Sequence, residues 1–222
     1  MKLEYGYEDA DINLVVSEVK KNSLLHQIAF AASICERLLP NYIIFAKEMN
    51  WETYPILRQA LDEVWMIIKG DSIDSIRLNQ LLNDCEKVIP HDHDNDSGYV
   101  VEAQYAASSI CHLIDMCLQK EPAALKMLVN TTYNTLYQYL DWQMEVAEDM
   151  AEEETDDDWS KKKLDEQAQI IANHPFVIRE MKKENEDLQL LKETSTLAPE
   201  FIKQFRNSAL DNTNGKSLID LG

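Results

Sequence analysis

Glu36, Arg37, Asn41, Tyr42, Arg58, Asp62 and Trp65 are the residues of this chain whose types and spacing could do chemistry together. Glu36 and Arg37 interrupt an otherwise apolar helical run, with Leu38, Leu39, Ile43 and Ile44 beside them. Charges in such surroundings are costly unless paired. Arg58 and Asp62 stand four apart and so share one helix face. Glu36 and Arg37 are adjacent, point about 100° apart on a helix, and must find different partners. Cross-helix pairs Glu36–Arg58 and Arg37–Asp62 are expected, since together they would neutralise all four charges. Two readings fit such a set. One is a structural ion-pair network that fixes helix register. The other is a polar pocket lined by Tyr42 and Trp65, where a carboxylate could do acid–base work. No His or Cys nucleophile–base pair stands near these positions, and no hydrolase or transferase motif occurs.

Net charge defines the second candidate. The chain has 21 Lys and Arg against 40 Asp and Glu, a formal charge of −19. No basic residue lies between Lys126 and Lys161. That stretch holds Asp141, Glu145, Glu148, Asp149, Glu152, Glu153, Glu154, Asp156, Asp157 and Asp158. Glu148 to Asp158 is the candidate acidic interaction face, able to mimic nucleic acid, receive a basic partner or trap divalent cations. The plainer alternative is a solvated helix end and loop. Carboxylates near a helix C-terminus oppose the dipole, so this end is expected to fray or be held by Lys161, Lys162 and Lys163. Nucleic-acid binding needs a cationic footprint that displaces counterions. A charge of −19 works against that, so direct binding of DNA or RNA is not expected.

Other motifs fail on spacing. In His91-Asp92-His93-Asp94-Asn95-Asp96, three Asp imitate positions 1, 3 and 5 of a calcium loop, but Ser97 and Ala103 stand where Gly and Glu are required. His112 and Asp115 share a face, but Ser109 occupies the place of the Glu that a di-metal helix motif needs, which suits a core histidine. Gly215-Lys216-Ser217 resembles a phosphate loop whose first Gly is replaced by Leu210. No cofactor or metal is therefore expected. Cys35, Cys85, Cys111 and Cys117 form no C-x-x-C, and the last two point about 240° apart on a helix. They read as free core thiols, which suits a reducing cytoplasm.

The elements that must position these residues are helical. Apolar residues recur with the helical period nearly throughout, and 5 Gly and 6 Pro are too few for an all-β chain rich in tight turns. A helix is expected from Asp9 to Lys20, with Ile12, Val15, Val16 and Val19 on one face. Ser23 should cap a second helix to Leu38, which Pro40 ends, opening a short one to Met49. Further helices are expected from Tyr54 to Lys69, stopped by Gly70, and from Ser72 or Asp74 to before Pro90. Gly98 to Lys120 is apolar on most sides and reads as the central helix. Later helices run from Pro122 to Glu154, Ser160 to Asn173, Pro175 to Glu193 and Pro199 to Leu210. The fold class is all-α, a single compact bundle of about eight to nine helices. Residues 1–210 form the domain and 211–222 a loosely ordered tail. The longest uncharged runs, Asn22–Cys35 and Met127–Leu140, are 14 residues each, short of the roughly 20 that span a bilayer. The N-terminus has no apolar h-region, so neither a membrane segment nor a signal peptide is expected.

The order His26-Gln27-Ile28-Ala29-Phe30, Cys35-Glu36-Arg37, Pro40-Asn41-Tyr42, Arg58 and Leu61-Asp62-Glu63-Val64-Trp65 resembles a bacterial domain-of-unknown-function family that includes the YjaG-like proteins. The likeness continues at Ala103–Leu113 and His174-Pro175-Phe176-Val177 and covers roughly residues 23 to 194. It implies a helical fold and assigns no activity. Glu63 stands where the family pattern has an apolar residue, so no role is carried onto it. The expected function is a non-enzymatic protein-interaction module, inhibitor- or immunity-like, whose acidic face takes a basic protein partner. The alternative is a small-ligand binder or enzyme using a polar pocket near Glu36, Arg37, Arg58 and Asp62. Neither reading fixes homo-oligomerisation.

Overall fold

The computed structural model describes residues 9–91, 97–119, 124–149 and 168–212, and among them there is no strand. The helices are α1 (Asp9–Val19), α2 (Leu24–Glu48), α3 (Tyr54–Ile68), α4 (Ser75–Glu86), α5 (Val100–Gln119) and α6 (Leu125–Asp149). A short α7 (168–172) precedes α8 (Pro175–Glu193) and α9 (Pro199–Asn212). The chain is an all-α bundle, as its periodicity predicts. The helix expected from Ser160 and the last turn expected after Asp149 lie largely outside the described residues, as do 213–222 of the expected tail.

Helix boundaries follow local chemistry. Ser23 caps α2, its hydroxyl accepting from the His26 N–H. Asp74 caps α4 by accepting from the Ile76 and Arg77 N–H groups. Two helices end in the same left-handed turn. Asn50 (φ 55°) lets the Trp51 N–H reach back to the Ala46 carbonyl after α2. Gly70 (φ 113°) lets the Asp71 N–H reach the Met66 carbonyl after α3.

Pro40 does not break its helix. Residues Leu24–Glu48 form one helix of 25 residues with Pro40 inside it. Proline removes one N–H, so the Glu36 carbonyl loses its helical donor. Packing keeps the helix continuous: residues on both sides of Pro40, from Phe30 to Leu39 and from Asn41 to Ala46, are mostly buried. Helix α2 is the hub and packs against α1, α3, α5, α6, α8 and α9. It is long and apolar enough to match a membrane span, yet 83% of that window is buried inside the protein. One cluster of buried residues runs from Ile12 in α1 to Phe205 in α9. All four cysteines lie in it as free thiols.

Candidate functional site

Helix α2 sends Glu36 and Arg37 to different neighbours, as their angular separation requires. Glu36 meets α3, where Arg58, Asp62 and Trp65 recur every three or four residues and so share one face. The Glu36 carboxylate is fully buried and accepts from four N–H groups. Arg58 approaches it as a fork, Nη1 to Oε2 at 2.7 Å and Nη2 to Oε1 at 2.9 Å. The Trp65 indole Nε1 donates to Oε1 at 2.8 Å, and Arg206 Nε from α9 donates to the same oxygen at 2.8 Å. Asp62 then ties the two arginines together at the surface, 2.9 Å from Arg58 Nη2 and 2.5 Å from Arg206 Nη2. Arg206 also lies over the Trp65 ring, 5.6 Å from its centroid. Burial works against the Arg58 charge, but the Glu36 and Asp62 carboxylates outweigh it and raise its pKa.

Arg37 does not pair with Asp62. It turns to α8, where its Nε donates to both Glu180 oxygens at 2.9 and 2.8 Å and its Nη2 donates to Oε1 at 2.5 Å. Its Nη1 reaches the Ser33 carbonyl at 2.9 Å, the Ser33 hydroxyl at 2.8 Å and Asp187 at 3.3 Å. The Ser33 hydroxyl donates to Asp187 at 2.7 Å. Lys183 completes the group, pairing with Asp187 and donating to Ser208 of α9 at 2.9 Å. Arg37, Glu180, Lys183, Glu184 and Asp187 are all buried. Burial opposes the Arg37 charge, and Glu180, Asp187 and Glu184 reverse that and raise its pKa.

Tyr42 and Trp65 do not line a shared polar pocket. Both are fully buried, and their polar atoms have different partners. The Tyr42 hydroxyl donates to the Val88 carbonyl at 2.8 Å and accepts from the Thr53 hydroxyl at 2.7 Å. Burial pushes its pKa up. Asn41 is fully buried and neither atom of its amide has a hydrogen-bond partner. The seven expected residues thus separate. Glu36, Arg58, Asp62 and Trp65 form one network, Arg37 belongs to a second, and Tyr42 and Asn41 lie outside both.

Sequence reasoning missed Arg206, Glu180, Lys183 and Asp187. Their signal is a misplaced charge. The inward stripe of α8, Val177, Glu180, Lys183, Glu184, Asp187, Leu188 and Leu191, has helical spacing with charged residues at its centre.

Of the acidic face, Glu148 and Asp149 are in the last turn described for α6, while Glu152, Glu153, Glu154, Asp156, Asp157 and Asp158 lie outside the described residues, as does the 92–96 loop. Trp142 on α6 is 52% exposed, and its ring packs 6.3 Å from that of Tyr139. His112 on α5 is half-buried, and burial lowers its pKa against the pull of Asp115. Among the described residues, no group of three or more His, Cys, Asp or Glu is placed to hold a metal ion.

A helical bundle stapled by two internal ion-pair networks is the class that fold and site define. The chain belongs to the family described as "Protein of unknown function (DUF416)", which matches residues 15–219. It is 27% identical over 127 residues to the uncharacterized protein YjaG of Salmonella typhimurium, a match spanning 57% of this chain and 64% of that one. An uncharacterized protein of Haemophilus influenzae is 28% identical over 145 residues, 64% of this chain and 68% of its own. The crystal structure of a DUF416 family protein from Shewanella baltica superposes with a TM-score of 0.75 at 20% identity, over 92% of this chain and 96% of that one. It shares the fold.

Proposed function

We propose that this chain is a non-enzymatic interaction module, inhibitor- or immunity-like, that receives a basic protein partner on the acidic stretch from Glu148 to Asp158. One observation carries the reading: the charged groups best suited to chemistry are already used inside the protein. Glu36 accepts from Arg58, Trp65 and Arg206, and Arg37 is held by Ser33, Glu180 and Asp187. A catalytic base or a ligand clamp needs a free lone pair or donor within reach of a substrate, so this saturation favours a scaffold over a ligand pocket. The excess of acidic charge lies elsewhere, in a stretch with ten acidic residues and no basic one between Lys126 and Lys161. That stretch includes the exposed Trp142, whose ring face attracts cationic side chains. A reducing cytoplasm suits four free thiols.

The test is affinity capture with the full chain from its native cytoplasm, followed by association kinetics with the captured basic protein. Replacing Glu152, Glu153, Glu154, Asp156, Asp157 and Asp158 with Gln or Asn should slow association and flatten its salt dependence, because exposed charge is screened over about 8–10 Å. Association unchanged by these substitutions would overturn the reading, as would capture of a small molecule in place of a basic protein.

A further inference from the structure

Among the described residues, three cations lie over aromatic rings, and one of them shows how this chain holds a guanidinium. Arg206 sits 5.6 Å from the Trp65 ring centroid while its N–H groups pair with Glu36 and Asp62. Asp62 and Trp65 stand three apart on α3, so one helix turn supplies both the ring and a carboxylate. A guanidinium suits that pairing because it is planar and weakly hydrated. Its face can lie on an indole while its in-plane donors reach carboxylates at the edge of the ring.

Helix α6 repeats the pairing, in reverse order, at the surface. Trp142 is 52% exposed, and Glu145 and Asp149 follow it by three and seven residues on the same helix face. Tyr139, three residues earlier, packs its ring 6.3 Å from the indole, and its hydroxyl accepts from the Gln143 amide at 2.8 Å, which holds the tyrosine in place. Among the described residues no cation lies over Trp142. Helix α6 has none to give, since its one basic residue is Lys126, about 24 Å away along the helix axis. Ring and carboxylates are thus presented together to solvent, on the part of the chain that carries the most negative charge.

We propose, resting on the partner-binding role of the acidic stretch, that Trp142 is the seat of an arginine side chain presented by a basic protein partner. The indole takes the face of the guanidinium, and Glu145 and Asp149 take its donors. Lysine suits the seat less well, because an ammonium is strongly hydrated and cannot lie flat on the ring.

Titration of the full chain with oligoarginine and with oligolysine of equal length, over a range of salt, tests this. Oligoarginine should bind about two- to fivefold more tightly, the scale of an exposed cation–π contact. The difference should persist as salt rises, while the attraction common to both peptides is screened. Trp142→Ala should bring oligoarginine to the affinity of oligolysine and leave both with their salt dependence, and Trp142→Tyr should keep part of the preference. Equal affinities in the wild-type protein would overturn the arginine seat and leave the acidic stretch as a surface for cations in general. A preference for oligoarginine that survives Trp142→Ala would overturn it too. Failure of both peptides to bind would overturn the seat and the acidic-stretch reading together.

Discussion

Helices α5 and α8 each bury one face, and they do so in opposite ways. Of eleven buried residues on α5, Glu102 is the one charged. Of seven on α8, four are charged. Every α8 charge meets a partner of opposite sign or acts on one, through Arg37 and Lys183. Among the described residues Glu102 meets no such cation, and its Oε2 has no hydrogen-bond partner there. Burial raises its pKa and outweighs the opposing pull of its own backbone N–H. Burial of a helix face therefore does not require that the face be apolar. It requires that charges be matched, and α5 leaves its single one unmatched.

The comparison breaks hardest at Arg37. Arg37→Ala would strand Glu180, which is fully buried, and should cost about 3–5 kcal/mol in urea unfolding, whereas Asp187 keeps Lys183 and the Ser33 hydroxyl. Asp62→Ala should cost far less, about 0.2–1 kcal/mol, because its side chain is 48% exposed and water replaces the lost pairs. The two changes should add within about 0.5 kcal/mol, since Arg37 and Asp62 share no partner. A larger coupling in the double-mutant cycle would mean that the two networks act as one.

Glu102 sharpens the other side. A carboxyl whose folded pKa is raised binds its proton more tightly in the folded state, so stability falls as pH rises from the ordinary carboxylate range through the folded pKa. Glu102→Gln removes that loss. The variant should be more stable than wild type at pH 7.5 and nearly equal to it at pH 4, by urea midpoints. A midpoint at pH 7.5 no higher than wild type would mean that the carboxylate has found a partner.

The helices were largely legible in the sequence because their ends are written in local chemistry. Ser23, Asp74, Pro55, Gly70, Pro175 and Pro199 each act within one turn. Pro40 was misleading for the same reason. Its local rule says break, and the deciding force is burial by helices far along the chain. The Glu36–Arg58 pair could be anticipated because α2 and α3 are neighbours in sequence. The Arg37–Glu180 pair spans 143 residues, and nothing near Arg37 announces it. Charges at inward positions of α8 did, but only to a reader who asked why a helical stripe contains Glu180, Lys183 and Asp187. Arg206, between the buried Phe205 and the half-buried Ser208, likewise has its partners in distant helices, Glu36 of α2 and Asp62 of α3.

The Trp65 indole has an optical consequence. It is wholly buried, bonded to Glu36 and covered by the Arg206 guanidinium, whereas Trp142 is half in water. An indole excited-state dipole senses such a fixed charge pair, so its emission colour is set by the position of α9. With Trp51, Trp142 and Trp159 changed to Phe, the protein would carry a single indole that reports, in real time and without a label, whether the last helix is in place.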